Sequence, residues 1–131
     1  MSAENVDIVR KAYASYASGD TATVFSLLDP EIEITQTMEL PWGGHYKGPA
    51  EAKQFFAKIF KSVEAMPTPE SYIPAGESVV AIGRLRGRAR KSGKPIDLAI
   101  VHVWKITQGR IVRFDAYIDT PAMQAALSES T

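Results

Sequence analysis

SVVAIGRLRGRARKSGKPIDLAIVHVWKIT, residues 78–107, decides the fold, because each of its strands can be read once for each face. Side chains alternate across a strand, so a period of two sorts them. Over 78–90, Val79, Ala81, Gly83, Leu85, Gly87 and Ala89 fall on one face and Arg84, Arg86, Arg88 and Arg90 on the other. The first face is apolar and made of small residues, which predicts room for a cavity beside a core. The arginine row reads as a solvated face, an anion site, or a polar interface with a second copy. Over 96–107, Leu98, Ile100, His102, Trp104 and Ile106 share one face, and Ala99, Val101, Val103 and Lys105 the other. Two largely apolar faces predict a central strand covered on both sides, with a partner subunit as one cover. A histidine sits in the middle of the inner row.

Working outward, Lys91-Ser92-Gly93-Lys94 separates these two strands. Strands over 68–75 and 110–119 extend them into a meander, through turns at Ala75-Gly76-Glu77 and Gln108-Gly109. Two of these turns place glycine where a hairpin wants positive φ. Upstream the period changes. Val6, Val9, Tyr13, Tyr16 and Ala17 recur at helical spacing, with Ser2 as the expected cap. Gly19 ends that helix, and Asp20 caps a short second one over 21–28, which Asp29-Pro30 stops. EIEITQTM (31–38) alternates as a strand and leads into ELPWGGHYKGP (39–49), an unusually aromatic loop. Gly48-Pro49 opens a third helix with Ala52, Phe55, Phe56, Ile59 and Phe60 as its buried stripe. Thr120-Pro121 starts a last short helix through Met123 and Leu127. The expected fold is α+β, one domain over 1–131. It is a cone-shaped barrel of a strongly curved, mainly antiparallel sheet, with three helices from the N-terminal half and a short C-terminal helix.

Composition narrows the function classes. Fifteen Lys and Arg balance fifteen Asp and Glu, which argues against a nucleic-acid or anionic-membrane surface. There is no cysteine, hence no disulfide framework or thiolate chemistry, and a cytoplasmic location is expected. The opening MSAENVDIVRKAY does not read as a signal peptide, and no apolar run is long enough to span a membrane. Two histidines without helical His-x-x-x-His spacing predict no metal site. Phosphate-loop, dinucleotide-binding and Gly-x-Ser-x-Gly patterns are lacking, so no cofactor is expected.

The ordered set of features resembles the nuclear transport factor 2-like superfamily, and within it the SnoaL-like group. The residues that carry the resemblance are Ser18-Gly19-Asp20 after the first helix, Gly48-Pro49 with Phe55-Phe56, and the closing strand from Gly109-Arg110-Ile111 to Tyr117-Ile118-Asp119. That group includes polyketide cyclases and relatives of ketosteroid isomerase and limonene epoxide hydrolase. By resemblance to the isomerase, the base position falls on Glu39 and the oxyanion-hole acid on His102. The oxyanion tyrosine falls near Ala12, with Tyr13 and Tyr16 close by. Aligned on the hydrolase, Gly83, Leu85 and Ala116 replace its arginine and two aspartates, and Thr35 and Thr37 its tyrosine and asparagine. Its water-activating acids are missing, and that activity is rejected.

The sequence thus nominates Glu39 and His102 as a catalytic pair. Glu39 beside Trp42 would be partly desolvated and work as a base, while His102 would stabilise an oxyanion. Candidate pocket-lining residues from the first half are Tyr13, Tyr16, Thr35, Thr37, Trp42, His45, Tyr46 and Phe56. Those from the sheet are Leu85, Ile100, Trp104, Phe114, Ala116 and Ile118. The function expected is that of a cofactor-independent isomerase or cyclase acting on an apolar carbonyl compound. The alternative is a non-catalytic module that binds an apolar ligand or a protein partner. A homodimer through the sheet is expected in either case.

Overall fold

In the computed structural model, which describes residues 2–129 with the side chain of Ser2 excepted, turn chemistry sets the element boundaries. The expected cap at Ser2 lies outside the described side chains. Helix α1 (Ser2–Ala17) ends before Gly19, whose φ is +77°. Asp20 then accepts from the Thr23 backbone N–H at 3.1 Å and caps α2 (Thr21–Ser26), two residues shorter than expected. The chain continues through β1 (Leu28–Gln36), β2 (Gly44–Lys47), α3 (Gly48–Ser62), β3 (Val63–Ala75), β4 (Ser78–Ala89), β5 (Pro95–Thr107), β6 (Arg110–Ile118) and α4 (Thr120–Leu127). Asp119 caps α4 by accepting from the Ala122 N–H at 3.2 Å. Gln108 (φ +51°) and Gly109 (φ +77°) make the tight β5–β6 hairpin, with glycine where the second left-handed residue is needed.

The six strands form one sheet in the order β2-β1-β6-β5-β4-β3. Neighbours are antiparallel except β1 and β6, which run parallel. The meander β3 to β6 follows the expected order. The largest boundary differences are at β1, which runs from Leu28 and stops at Gln36, and at β3, which begins at Val63 directly after α3. Strand β2 was read as loop; its four residues pair with the edge of β1, Tyr46 opposite Ile34. Four residues are too few for alternation to show.

One bend in the sheet lies between β3 and β4. Their register shifts between Pro69 and Ser71, which leaves Glu70 as an extra residue on β3 and bends the strand. Opposite the bend, a Cβ at Gly83 would lie 2.2 Å from the Thr68 carbonyl oxygen, and one at Gly87 2.1 Å from that of Glu64. The small residues of β4 therefore do not all open a cavity, as expected from the sequence. At these two positions the backbone of β3 occupies the space. Val79, Ala81 and Ala89 are buried in the core, and Leu85 alone of this row borders the cavity described below.

Helices α1 and α3 pack on the inner face. Ala52 and Phe55 of α3 are buried and Phe56 and Ile59 pack against the core. Phe60 does not join this stripe: it is 69% exposed, and the Arg90 guanidinium lies 4.5 Å from its ring centre. One residue beyond Ile59 is a rotation of about 100°, which carries Phe60 off the buried face.

Candidate functional site

Alternation along β1, β5 and β6 sends one set of side chains inward under α1 and α3, and there they do not fill the space. A cavity of about 100 Å³ remains. That is room for several waters or a small ring, since one water needs roughly 10–15 Å³ on this scale. Of the residues nominated from the sequence, Tyr13, Tyr16, Trp42, Phe56 and Leu85 border it. From β5 and β6 come Ile100, Trp104, Phe114, Ala116 and Ile118, with His102 among them.

Five nominated residues are elsewhere. Thr35 points to the opposite face from Ile34 and Gln36, and its hydroxyl donates to the Asp115 carboxylate. His45, opposite Thr35 in the β1–β2 register, shares that outer face and sits 2.7 Å from Glu33. Thr37 is exposed beyond the end of β1. Tyr46 is buried under α3: its ring centre is 5.2 Å from that of Phe55, and its hydroxyl donates to the Trp42 carbonyl at 2.9 Å. Glu39 stands in an exposed turn, where its carboxylate accepts from the Thr37 hydroxyl at 3.3 Å and its carbonyl from Gln124 at 3.1 Å. The buried position of that turn is taken by Leu40. Glu39 and His102 therefore do not face each other across the cavity.

The polar centre is a chain of three side chains. Trp104 Nε1–H lies 3.0 Å from the Tyr13 oxygen, and the Tyr13 oxygen 2.5 Å from His102 Nδ1. An indole N–H only donates, so the Tyr13 oxygen accepts from Trp104, and the same hydroxyl shares a second hydrogen bond with His102 Nδ1 whose direction follows the imidazole tautomer. With the Tyr13 proton given to Nδ1, the neutral imidazole carries its own proton on Nε2. Burial disfavours the imidazolium and lowers the His102 pKa to about 4, so the ring is neutral near pH 7. Burial likewise raises Tyr13 well above the ordinary phenol value, and the hydroxyl keeps its proton. No described residue accepts from Nε2–H, and that atom is not sealed within the protein. His102 itself borders the cavity.

A second polar group was not nominated. Gln36 lines the cavity, and its Oε1 accepts from Trp42 Nε1–H at 2.9 Å. The signal for it was the one that found His102, a polar residue in a row of apolar ones, here Ile32-x-Ile34-x-Gln36. Among the described residues, no acidic side chain lines the cavity, no cluster of His, Asp and Glu is placed to hold a metal ion, and no helix is long and apolar enough to cross a membrane.

Comparison with known proteins agrees with this architecture. An NTF2-like protein of unknown function from Burkholderia pseudomallei superimposes with a TM-score of 0.89 at 29% identity, over 95% of this chain and 98% of that one. An NTF2-like protein from Burkholderia thailandensis gives 0.88 at 27% identity, over 95% and 97%. A proposed SnoaL-like polyketide cyclase from Jannaschia sp. CCS1 gives 0.88 at 18% identity, over 99% and 95%, a likeness of fold alone. A search of curated proteins finds no match. The SnoaL-like domain model matches residues 9–114, from the first buried valine of α1 to the cavity phenylalanine of β6. With that match spanning the helices, the sheet and the cavity between them, the chain belongs to the SnoaL-like family of NTF2-like proteins.

Proposed function

We propose that the cavity binds a small, mainly apolar molecule bearing a carbonyl oxygen, and that His102 Nε2–H donates a hydrogen bond to that oxygen. The observation that carries this reading is the Trp104–Tyr13–His102 chain, which, with the Tyr13 proton on Nδ1, leaves Nε2–H unused at a mainly apolar wall. In a dry, low-dielectric site such a donor is strongly selective for an acceptor, and each bond upstream polarises the next.

A cyclase or isomerase would use the same bond, since a donor that holds a carbonyl also stabilises the enolate formed from it. It would also need a base. Glu39 lies outside, and no Asp or Glu of the described residues lines the cavity. Binding without turnover is therefore the reading we adopt.

Tryptophan fluorescence separates these readings, with Trp42 and Trp104 both at the cavity wall. Titration with acetophenone and with ethylbenzene, which lacks the oxygen, should favour acetophenone about tenfold, the worth of one hydrogen bond. His102→Leu should abolish the preference. Equal binding by the native chain contradicts the proposal. Acceleration of deuterium uptake at the acetophenone methyl group would instead establish turnover.

On the outer face, Ile82, Val101 and Tyr117 are paired side by side across β4, β5 and β6. Ile82 and Tyr117 are 38% and 58% exposed, and Val101 is half-buried. We propose that a second copy of the chain covers this row. Sedimentation at micromolar concentration should give a dimer that Val101→Asp dissociates; a native monomer overturns this.

A further inference from the structure

The second polar group of the cavity has its direction fixed by an indole. Gln36 closes β1 on the face of Ile32 and Ile34 and is 9% exposed. An amide can be placed with oxygen and nitrogen exchanged, but here the partner decides. Trp42 Nε1–H can only donate, so the atom 2.9 Å from it is the oxygen. The amide nitrogen, with its two protons, is left without a protein acceptor and is not sealed off.

Register places the two donors in one row. Thr35 pairs with Asp115, so Gln36, one residue on, falls beside Ala116, and Ala116 pairs with His102. All three border the cavity. With strands about 4.8 Å apart, the Gln36 and His102 backbones are about 10 Å apart. The residue between them is alanine, so the wall is notched where a ligand would lie. Both groups are tied to an indole: Trp42 fixes the amide with its nitrogen free to donate, and Trp104 holds the Tyr13 hydroxyl that meets the imidazole. The Tyr16 hydroxyl, which also borders the cavity, can donate or accept and so imposes no polarity.

We propose that Gln36 is the second anchor of the site, and that Gln36 Nε2–H and His102 Nε2–H together select an apolar molecule with two acceptor oxygens, a neutral dicarbonyl. This rests on the carbonyl-binding reading above.

The test compares para-ethylacetophenone with meta- and para-diacetylbenzene by fluorescence titration. The first carries one carbonyl in the same shape, and the two isomers sample two oxygen spacings. At least one diacetylbenzene should bind about tenfold tighter than the monoketone, the worth of a second hydrogen bond. Gln36→Met should erase that advantage, so that the variant binds the monoketone and the diacetylbenzenes alike. Gln36→Glu keeps the shape and the bond from Trp42; its ionised carboxylate cannot donate, so the advantage should be lost and return on acidification. A second carbonyl that adds nothing in the native chain, or an advantage that survives both substitutions, overturns the proposal. Failure of the monoketone itself to prefer the native chain over His102→Leu would instead overturn the underlying reading.

Discussion

The inner and outer faces of the sheet are made from alternate residues of the same strands, yet they treat polar groups in opposite ways. Outside, charges meet charges in the open. Arg113 lies 3.0 Å from Asp115 and 3.8 Å from Glu33, which in turn meets His45, while Arg84 pairs with Asp97 and Arg88 with Glu64, both at 3.0 Å. Such pairs are individually weak, because water screens them and long side chains lose freedom to form them. Inside, the polar groups are neutral, and each chain begins at an indole that can only donate. The outer network has many equivalent arrangements; the inner one is tied to its indoles. Selectivity for a ligand therefore belongs to the inner face, and β3 must be held tightly on β4 to keep that face curved.

This contrast can be broken at several points. The largest effect is expected at the bend between β3 and β4. Gly83→Ala would drive a methyl group into the β3 backbone and should cost about 3 kcal/mol in urea denaturation, the upper range for overpacking. A loss under about 1 kcal/mol would mean that the two strands can part cheaply.

The next concerns acid. Unfolded His102 takes a proton near pH 6.5, but the folded ring does so only near pH 4. Across that window the unfolded state binds more protons, so stability is full above about 6.5 and falls as the pH drops toward about 4. The loss is on the order of 3 kcal/mol at most. In His102→Gln the slope between these pH values should flatten; an unchanged slope would place its source outside the cavity.

Tyr13→Phe should cost about 1–3 kcal/mol, because Trp104 Nε1–H and His102 Nδ1 both lose their partner in a buried site. The smallest effect belongs to the outer face. Arg88→Ala should cost under about 1 kcal/mol, and the difference should shrink with added salt. If Arg88→Ala proved as costly as Tyr13→Phe, the distinction between the faces would fail.

Much of the fold was legible because long strands alternate cleanly. Residues 96–107 announced a central strand, and Gly19, Asp20 and Thr120-Pro121 announced helix ends through local chemistry. Gly83 and Gly87 were legible as small but not as filled, since the atoms that fill them belong to β3, and the Glu70 bulge leaves no mark in a one-dimensional pattern. At the site, His102 was visible as a polar residue in an apolar row, and Gln36 carried the same signal one strand pair away. Glu39 was misplaced for a physical reason: in the turn that follows β1, strand alternation no longer applies, and Leu40 claims the buried slot. Tyr46, nominated for the pocket, is turned by β2 into the core under α3. The direction of the cavity's polar groups could not be read at all, because it depends on indoles that approach from β5 and from the loop after β1.

The central claim is that His102 Nε2–H points into the cavity and binds a ligand oxygen. Infrared spectroscopy of acetophenone with an isotope-labelled carbonyl tests it directly, since a hydrogen bond to the oxygen lowers the stretching frequency. The native protein should shift that band to lower frequency than His102→Leu does with the same ligand bound. Identical carbonyl frequencies in the two proteins would contradict the account.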